Sequence, residues 1–375
     1  MIPDQNPAPG DARPVQPTVG RPPRAERPTT ASRASTRRIV ATAALACVAL
    51  AACGDDSTSA SPAADPPDAP SAVTGPASSE PATDVPATDV PDRVITVTHV
   101  YGETVVPARP ERIVSLDLQW TDVLTALGHP PVAAALDPYQ GDWYPWQTAH
   151  GIEPITVGDD YSVPYETVAA FTPDLIVGSW SIADEAAYDT LSAIAPTIAT
   201  LGERDVDPWE DMAAVAGEIL GRTAAAEALV AEGDALAADL RAELPGLAGK
   251  TYALVNYVPG DQIYVVADPD DGAAQLFAKL GMQIDPELLA LDDGGLGRVE
   301  LSFERISELD SDLLMLLTNG ADPSEIVGFD ALPAVQSGAS VVLEYAPVVG
   351  FNTPTPLSIP YSLDFIRDAL EAAAG

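Results

Sequence analysis

A thirteen-residue segment occurs twice in this chain at an offset of 138 residues, and that spacing limits the fold more than any other feature. The first copy is Tyr165-Glu166-Thr167-Val168-Ala169-Ala170-Phe171-Thr172-Pro173-Asp174-Leu175-Ile176-Val177. The second is Phe303-Glu304-Arg305-Ile306-Ser307-Glu308-Leu309-Asp310-Ser311-Asp312-Leu313-Leu314-Met315. Each reads as a short helix followed by a strand. In each, an apolar pair three residues apart (Val168 and Phe171; Ile306 and Leu309) faces a sheet, and the glutamate two residues before it (Glu166; Glu304) points to solvent. A period this long excludes a solenoid and predicts two lobes of related topology.

The surrounding sequence supports that reading. Ile95 and Val97 alternate with Thr96 and Thr98, and with Glu103 to Val106 they predict a hairpin turned at Tyr101-Gly102. Strand Ile113 to Leu116, a helix from Trp120 to Leu127 stopped by Gly128, and strand Val132 to Leu136 make a strand-helix-strand unit of a parallel sheet. Helix Tyr165 to Phe171, strand Leu175 to Val177 and helix Asp184 to Ile194 continue it. The Ala-rich, proline-free stretch from Trp209 to Leu244 carries a break at Gly221-Arg222-Thr223. As a helix, its second part would span about 33 Å and could pass from one lobe to the other. Strands Thr251 to Val258, Gln262 to Val266 and Val341 to Leu343, a helix from Ala273 to Leu280 and a last helix within Ser358 to Ala374 supply the second lobe. The expected domains are an N-terminal lobe (93–208), a connecting helix (209–244) and a C-terminal lobe (245–375).

Upstream, Arg37-Arg38 precede an apolar run from Ile39 to Ala52 and then Cys53-Gly54. Basic residues, a short apolar run and small residues are the parts of a secretory signal, here 1–52 with an extended n-region. The run is shorter than the about 20 residues that cross a bilayer. Leu50-Ala51-Ala52-Cys53 resembles the lipobox of bacterial lipoproteins, which implies that Cys53 is lipidated and holds the protein on the extracytoplasmic face of the cell membrane. Residues 53–92, rich in Ser, Pro, Ala, Asp and Thr, cannot offset their ordering entropy and read as a disordered tether.

The formal net charge of −38 excludes nucleic acid as a partner. Cys47 and Cys53 are the only cysteines, so the lobes can hold no internal disulfide. His99, His129 and His150 show no metal-ligand spacing, and the acidic runs Asp268 to Gly272 and Asp292 to Gly295 lack the spacing of a calcium loop. G-x-S-x-G, HExxH, CxxC and P-loop motifs are absent, so nothing points to an enzyme. Tyr139, Trp143, Tyr144 and Trp146 crowd an irregular polar segment, where flat rings with polar tips suit the mouth of a site for an organic ligand. Trp120 and Trp180 each follow the carboxyl end of a predicted strand, where ligands of open α/β sheets gather.

Pro107 to Leu116, Ala126-Leu127-Gly128, Phe171 to Val177 and Ile194-Ala195-Pro196-Thr197, taken in order with the long mid-chain helix and the lipobox, resemble the iron-siderophore-binding proteins of ABC importers. The resemblance covers 93 to 375, and Leu118-Gln119-Trp120 with Trp143 to Trp146 are most similar to the ferrichrome and ferrioxamine branch. It implies an α/β fold of two lobes, each a mainly parallel sheet flanked by helices, joined by one long helix. It also implies a monomer that hands its ligand to a permease dimer in the membrane. Glu166 and Glu304 match the family's permease-contacting glutamates. Hydroxamate-binding relatives often carry an arginine just before the first of these helices. Here that stretch is Gly158-Asp159-Asp160-Tyr161, which leaves Arg298 as the basic candidate. Tyr161 joins the candidate ligand set, with Tyr345, Phe351 and Asn352 where the family's last pocket loop falls. No cofactor is expected, iron arriving only inside the bound ferric siderophore. Haem or cobalamin on the same fold, and a cell-surface hydrolase, are the alternatives.

Overall fold

A five-stranded and a six-stranded sheet, sharing one five-strand order, carry the 138-residue repeat at equivalent places. The computed structural model describes residues 94–375 apart from 108, 149–150, 203–205 and 293–296. The signal, Cys53, the tether and His150 lie outside the described residues.

The N-terminal lobe opens with the expected antiparallel hairpin, β1 (Ile95–His99) and β2 (Gly102–Val106). Then follow β3 (Ile113–Ser115), α1 (Leu118–Ala126), β4 (Ala133–Leu136), β5 (Glu153–Thr156), α2 (Tyr165–Ala170), β6 (Leu175–Val177), α3 (Glu185–Ser192) and β7 (Thr197–Ile198). Its sheet runs β5-β4-β3-β6-β7, every pair parallel. Successive residues of its strands feed opposite faces: Ile113 and Leu175 enter one core, Val114 and Ile176 the other. Helices on both sides are what such a doubly buried parallel sheet requires.

Two helices follow, α4 (Trp209–Leu220) and α5 (Thr223–Glu243). The chain reverses between them at Gly221, whose φ of +65° ends α4 in the left-handed conformation. The connection is therefore an antiparallel pair and not one long helix: Gly217 lies against Ala226, and Trp209 against Gly233. α5 alone joins the lobes, about 32 Å long at 1.5 Å per residue. At its start Arg222 donates to the Leu127 carbonyl behind α1, and at its end Glu243 pairs with Arg367 in the C-terminal lobe.

The C-terminal lobe comprises β8 (Thr251–Tyr257), β9 (Ile263–Val266), α6 (Gly272–Lys279), β10 (Gln283–Ile284), α7 (Pro286–Leu289), β11 (Arg298–Leu301), β12 (Leu313–Leu317), α8 (Pro333–Ser337), β13 (Ser340–Leu343), α9 (Tyr345–Asn352), α10 (Ser358–Phe365) and α11 (Arg367–Ala374). Its sheet runs β11-β9-β8-β12-β13, with β10 beside β8. β9 is antiparallel to both neighbours, unlike its counterpart β4. The repeated strands β6 and β12 hold the same fourth place. An aspartate at matching positions ties each to the strand beside it. Asp174 accepts the backbone N–H groups of Glu111 and Arg112 just before β3, at 2.8 and 2.9 Å. Asp312, 138 residues on, accepts that of Thr251 at the start of β8, at 2.9 Å. The second copy of the repeated helix is a 3₁₀ turn, Phe303–Glu308, and both glutamates, Glu166 and Glu304, are exposed as expected.

Candidate functional site

All four strands β3 to β6 of the N-terminal sheet deliver their carboxyl ends to one pocket, as the general rule for open α/β sheets requires. Leu116 and Asp117 follow β3, Leu136 and Asp137 follow β4, the loop to Tyr161 follows β5, and Trp180 and Ser181 follow β6. Val349 and Thr353, from α9 and its end, close the pocket from the other lobe, and the space between is about 630 Å³, partly open to solvent.

Asp137 organises this space. Its Oδ1 accepts the backbone N–H of Tyr139 at 2.8 Å and of Gln140 at 3.3 Å, a turn that fixes the carboxylate at the strand end. Its Oδ2 accepts three phenols: Tyr144 at 2.7 Å, Tyr345 at 3.0 Å and Tyr161 at 3.4 Å. Tyr345 comes from the opposite lobe, so the cluster bridges the cleft. The Tyr139 ring packs on those of Tyr161 and Tyr345, with centroids 5.8 and 6.4 Å away. Tyr161 meets Trp180 edge to face at 5.0 Å. Burial, reinforced by the Asp137 charge, pushes the phenols of Tyr144, Tyr161 and Tyr345 well above the ordinary tyrosine value. They are neutral donors at physiological pH. Tyr161 holds its position with φ of +61°, an uncommon conformation for a bulky residue and one that concentrates at ligand clamps.

At the base of the pocket Asp117, and behind it Asp122, are carboxylates with no cation beside them among the described residues. Asp117 caps α1 through the Trp120 N–H at 3.2 Å, and burial pushes its pKa up to about 6. Asp122 accepts Thr355 Oγ1 from the other lobe at 2.6 Å, Trp146 Nε1 at 2.9 Å and Gln147 Nε2 at 2.6 Å. Burial likewise raises it to about 6. No described cluster of three or more His, Cys, Asp or Glu could hold a metal.

Of the residues expected to touch ligand, the structure brings Tyr161 and Trp180 to the pocket lining, with Tyr139 and Tyr345 packed against them. Others stand elsewhere. Trp120 is fully buried: the Asp117 cap starts α1 so that its third residue turns into the core shared with Trp209 and Met212. Phe351 is also fully buried, 5.5 Å from the Phe277 ring, because α9 is enclosed on nearly every side. Asn352 ends that helix behind the pocket, its carbonyl against Gly272 of α6. Arg298 is committed to the buried Asp271 at 2.9 Å and does not line the pocket. Trp146 fills the seam between the lobes, stacked on Tyr144 at 4.7 Å and bonded to Asp122. Trp143 is half-exposed on the same loop, outside the lining. Asp137 went unnoticed in the sequence although it satisfies the strand-end rule applied to the tryptophans. A carboxylate among 56 acidic residues carries no composition signal.

Comparison with known proteins agrees with this geometry. The model of the family described as periplasmic binding protein matches residues 113–344. The probable siderophore-binding lipoprotein YfiY of Bacillus subtilis is 29% identical over 234 residues, covering 60% of this chain and 70% of that protein. Among solved structures, Streptococcus pneumoniae PiaA in complex with ferrichrome superposes with a TM-score of 0.61 at 23% identity, over 74% of this chain and 98% of PiaA. Staphylococcus aureus FhuD2 with bound ferrioxamine B does so with a TM-score of 0.56 at 19% identity, over 70% of this chain and 100% of FhuD2. At these identities the structural likeness establishes the fold.

Proposed function

This chain belongs to the periplasmic binding protein family, and from that premise we propose that it captures a ferric siderophore, of hydroxamate type, and delivers it to an ABC permease. Membership makes it a solute-binding protein and not an enzyme, which removes the hydrolase alternative. The observation that carries the siderophore reading is the commitment of the pocket's phenols. Tyr144, Tyr161 and Tyr345 each donate their proton to Asp137 and are held neutral, so none of the three is poised as a phenolate ligand to iron. No histidine lines the pocket among the described residues. On this reading the iron arrives with its coordination already filled by a chelator. Haem, which wants an axial Tyr or His, is poorly served by the same arrangement.

The pocket lining holds Asp117, Asp137 and Asp142 and no described Lys or Arg, which favours a neutral or cationic ferric hydroxamate over an anionic ferric catecholate or citrate. The YfiY lipoprotein and the Leu-Ala-Ala-Cys53 sequence support a lipid anchor on the extracytoplasmic face. Exposed Glu166 and Glu304, at corresponding points of the two lobes, are the surfaces offered to a permease dimer by a monomeric binding protein. The test is tryptophan fluorescence, titrated with ferrichrome, ferrioxamine B, a ferric catecholate, haem and cobalamin. Saturable quenching by a ferric hydroxamate at submicromolar concentration, with Trp180 as reporter, is the expected result. Response to haem or cobalamin alone would replace the siderophore assignment.

A further inference from the structure

We propose that the Asp137 cluster reads a positive charge on the ligand: a protonated amine carried by the ferric chelate seats against the tyrosine oxygens and ring faces around this carboxylate. The inference rests on the siderophore reading above and concerns which ferric complexes the same pocket prefers.

The hydrogen-bond directions carry it. Tyr144, Tyr161 and Tyr345 donate their only hydroxyl protons to Asp137, and Tyr139 donates its own to the Asp159 carbonyl at 3.4 Å. Four phenolic oxygens are thereby left as acceptors, three of them backed by a carboxylate that no described cation neutralises. An ammonium offers donors and no acceptor, so it matches such a surface, whereas the negatively polarised oxygens around a chelated iron do not. The rings add to the match. Tyr345, Tyr139, Tyr161 and Trp180 form a chain of ring contacts, each ring 5.0 to 6.4 Å from the next between centroids. Aromatic faces attract a cation within about 6 Å, most strongly where water is excluded. Asp117 and Asp142 complete a lining whose charged members are all acidic among the described residues. A like-sign group entering here would meet Asp137 and Asp142, with Asp117 at the base.

The test compares two ligands that share one iron shell. Ferrioxamine B carries a free ammonium on a trishydroxamate, and its N-acetyl derivative lacks that charge. Dissociation constants are measured on the full chain for both. The expected result is about tenfold tighter binding of the cationic complex. That ratio should fall toward one in Asp137→Asn and in Tyr345→Phe, the second of which keeps the ring and its packing should the first impair folding. Equal affinities in the unaltered protein would overturn the inference and leave the siderophore reading in place. A ratio that survives in both variants would overturn the assignment to this cluster. Binding of neither complex would overturn the hydroxamate reading, and the inference with it.

Discussion

Asp122 carries a carboxylate through the seam between the lobes with neutral donors as its only described partners, and its pH behaviour follows from that. Burial raises its folded-state pKa from 3.8 to about 6. Between those values the folded protein holds a proton that the unfolded chain has released. The stabilisation this group gives at acid pH is therefore lost as pH rises toward 6, by roughly 3 kcal/mol at about 1.4 kcal/mol per unit. His99 slopes the other way. Burial lowers its pKa, its Nε2 bonds Thr104 Oγ1 at 2.9 Å and its Nδ1 accepts the Tyr101 N–H at 3.2 Å, so its contribution is lost as pH falls below 6.5. Comparing the protein with Asp122→Asn isolates the first effect, since His99 is common to both. From pH 4 to pH 7 the unaltered protein should lose about 2.5 kcal/mol relative to the variant in denaturant unfolding; parallel pH profiles would contradict it. At this scale the sequence was least legible. Trp120 and Trp180 both follow strands, yet one is core and the other lines the pocket, because helix phase after an aspartate cap decides the direction. Sequence position does not reveal that phase.

Between the lobes, the α4–α5 pair shows how far pattern reaches and where it stops. The break at Gly221 was legible from three residues. The antiparallel packing was not, since an Ala-rich helix with weakly patterned leucines does not declare its partner. The partner is set by small residues. A Cβ on Gly217 would stand 2.5 Å from that of Ala226, and one on Gly233 would stand 2.9 Å from the Trp209 ring. Close approach lets Met212, Ile219 and Leu240 bury fully, each contributing about 1.5–3 kcal/mol. Gly217→Leu should force the helices apart and destabilise by about 2–3 kcal/mol, despite leucine's better helix propensity. Thermal or denaturant unfolding measures it, and an unchanged or raised midpoint would contradict the packing. The repeat was the most legible element because its physical content is local, an apolar pair and an outward glutamate; the aspartate that bonds the neighbouring strand's start, about 60 residues away, emerged only in the structure. The short strands β5 and β7 went unread, since Glu153–Thr156 and Thr197–Ile198 are too brief for a period to appear.

At the scale of the molecule, two lobes of common strand order meet across a pocket latched by Asp137–Tyr345 and Asp122–Thr355, with one helix bracing the back. These cross-lobe bonds favour a preformed site over one built by large closure. Glu166 and Glu304 lie outside that site, so Glu166→Ala combined with Glu304→Ala should keep siderophore affinity within about twofold while uptake by cells falls steeply. Unchanged uptake would count against a permease-contact role. The siderophore reading places iron between the lobes inside its chelator, untouched by protein atoms. Crystals grown with ferrioxamine B and measured at the iron absorption edge test it most directly. One anomalous peak inside the pocket between Leu116 and Val349, with no protein atom within coordination distance, is expected; a peak bonded to a tyrosine oxygen, or one outside the cleft, would overturn the siderophore reading.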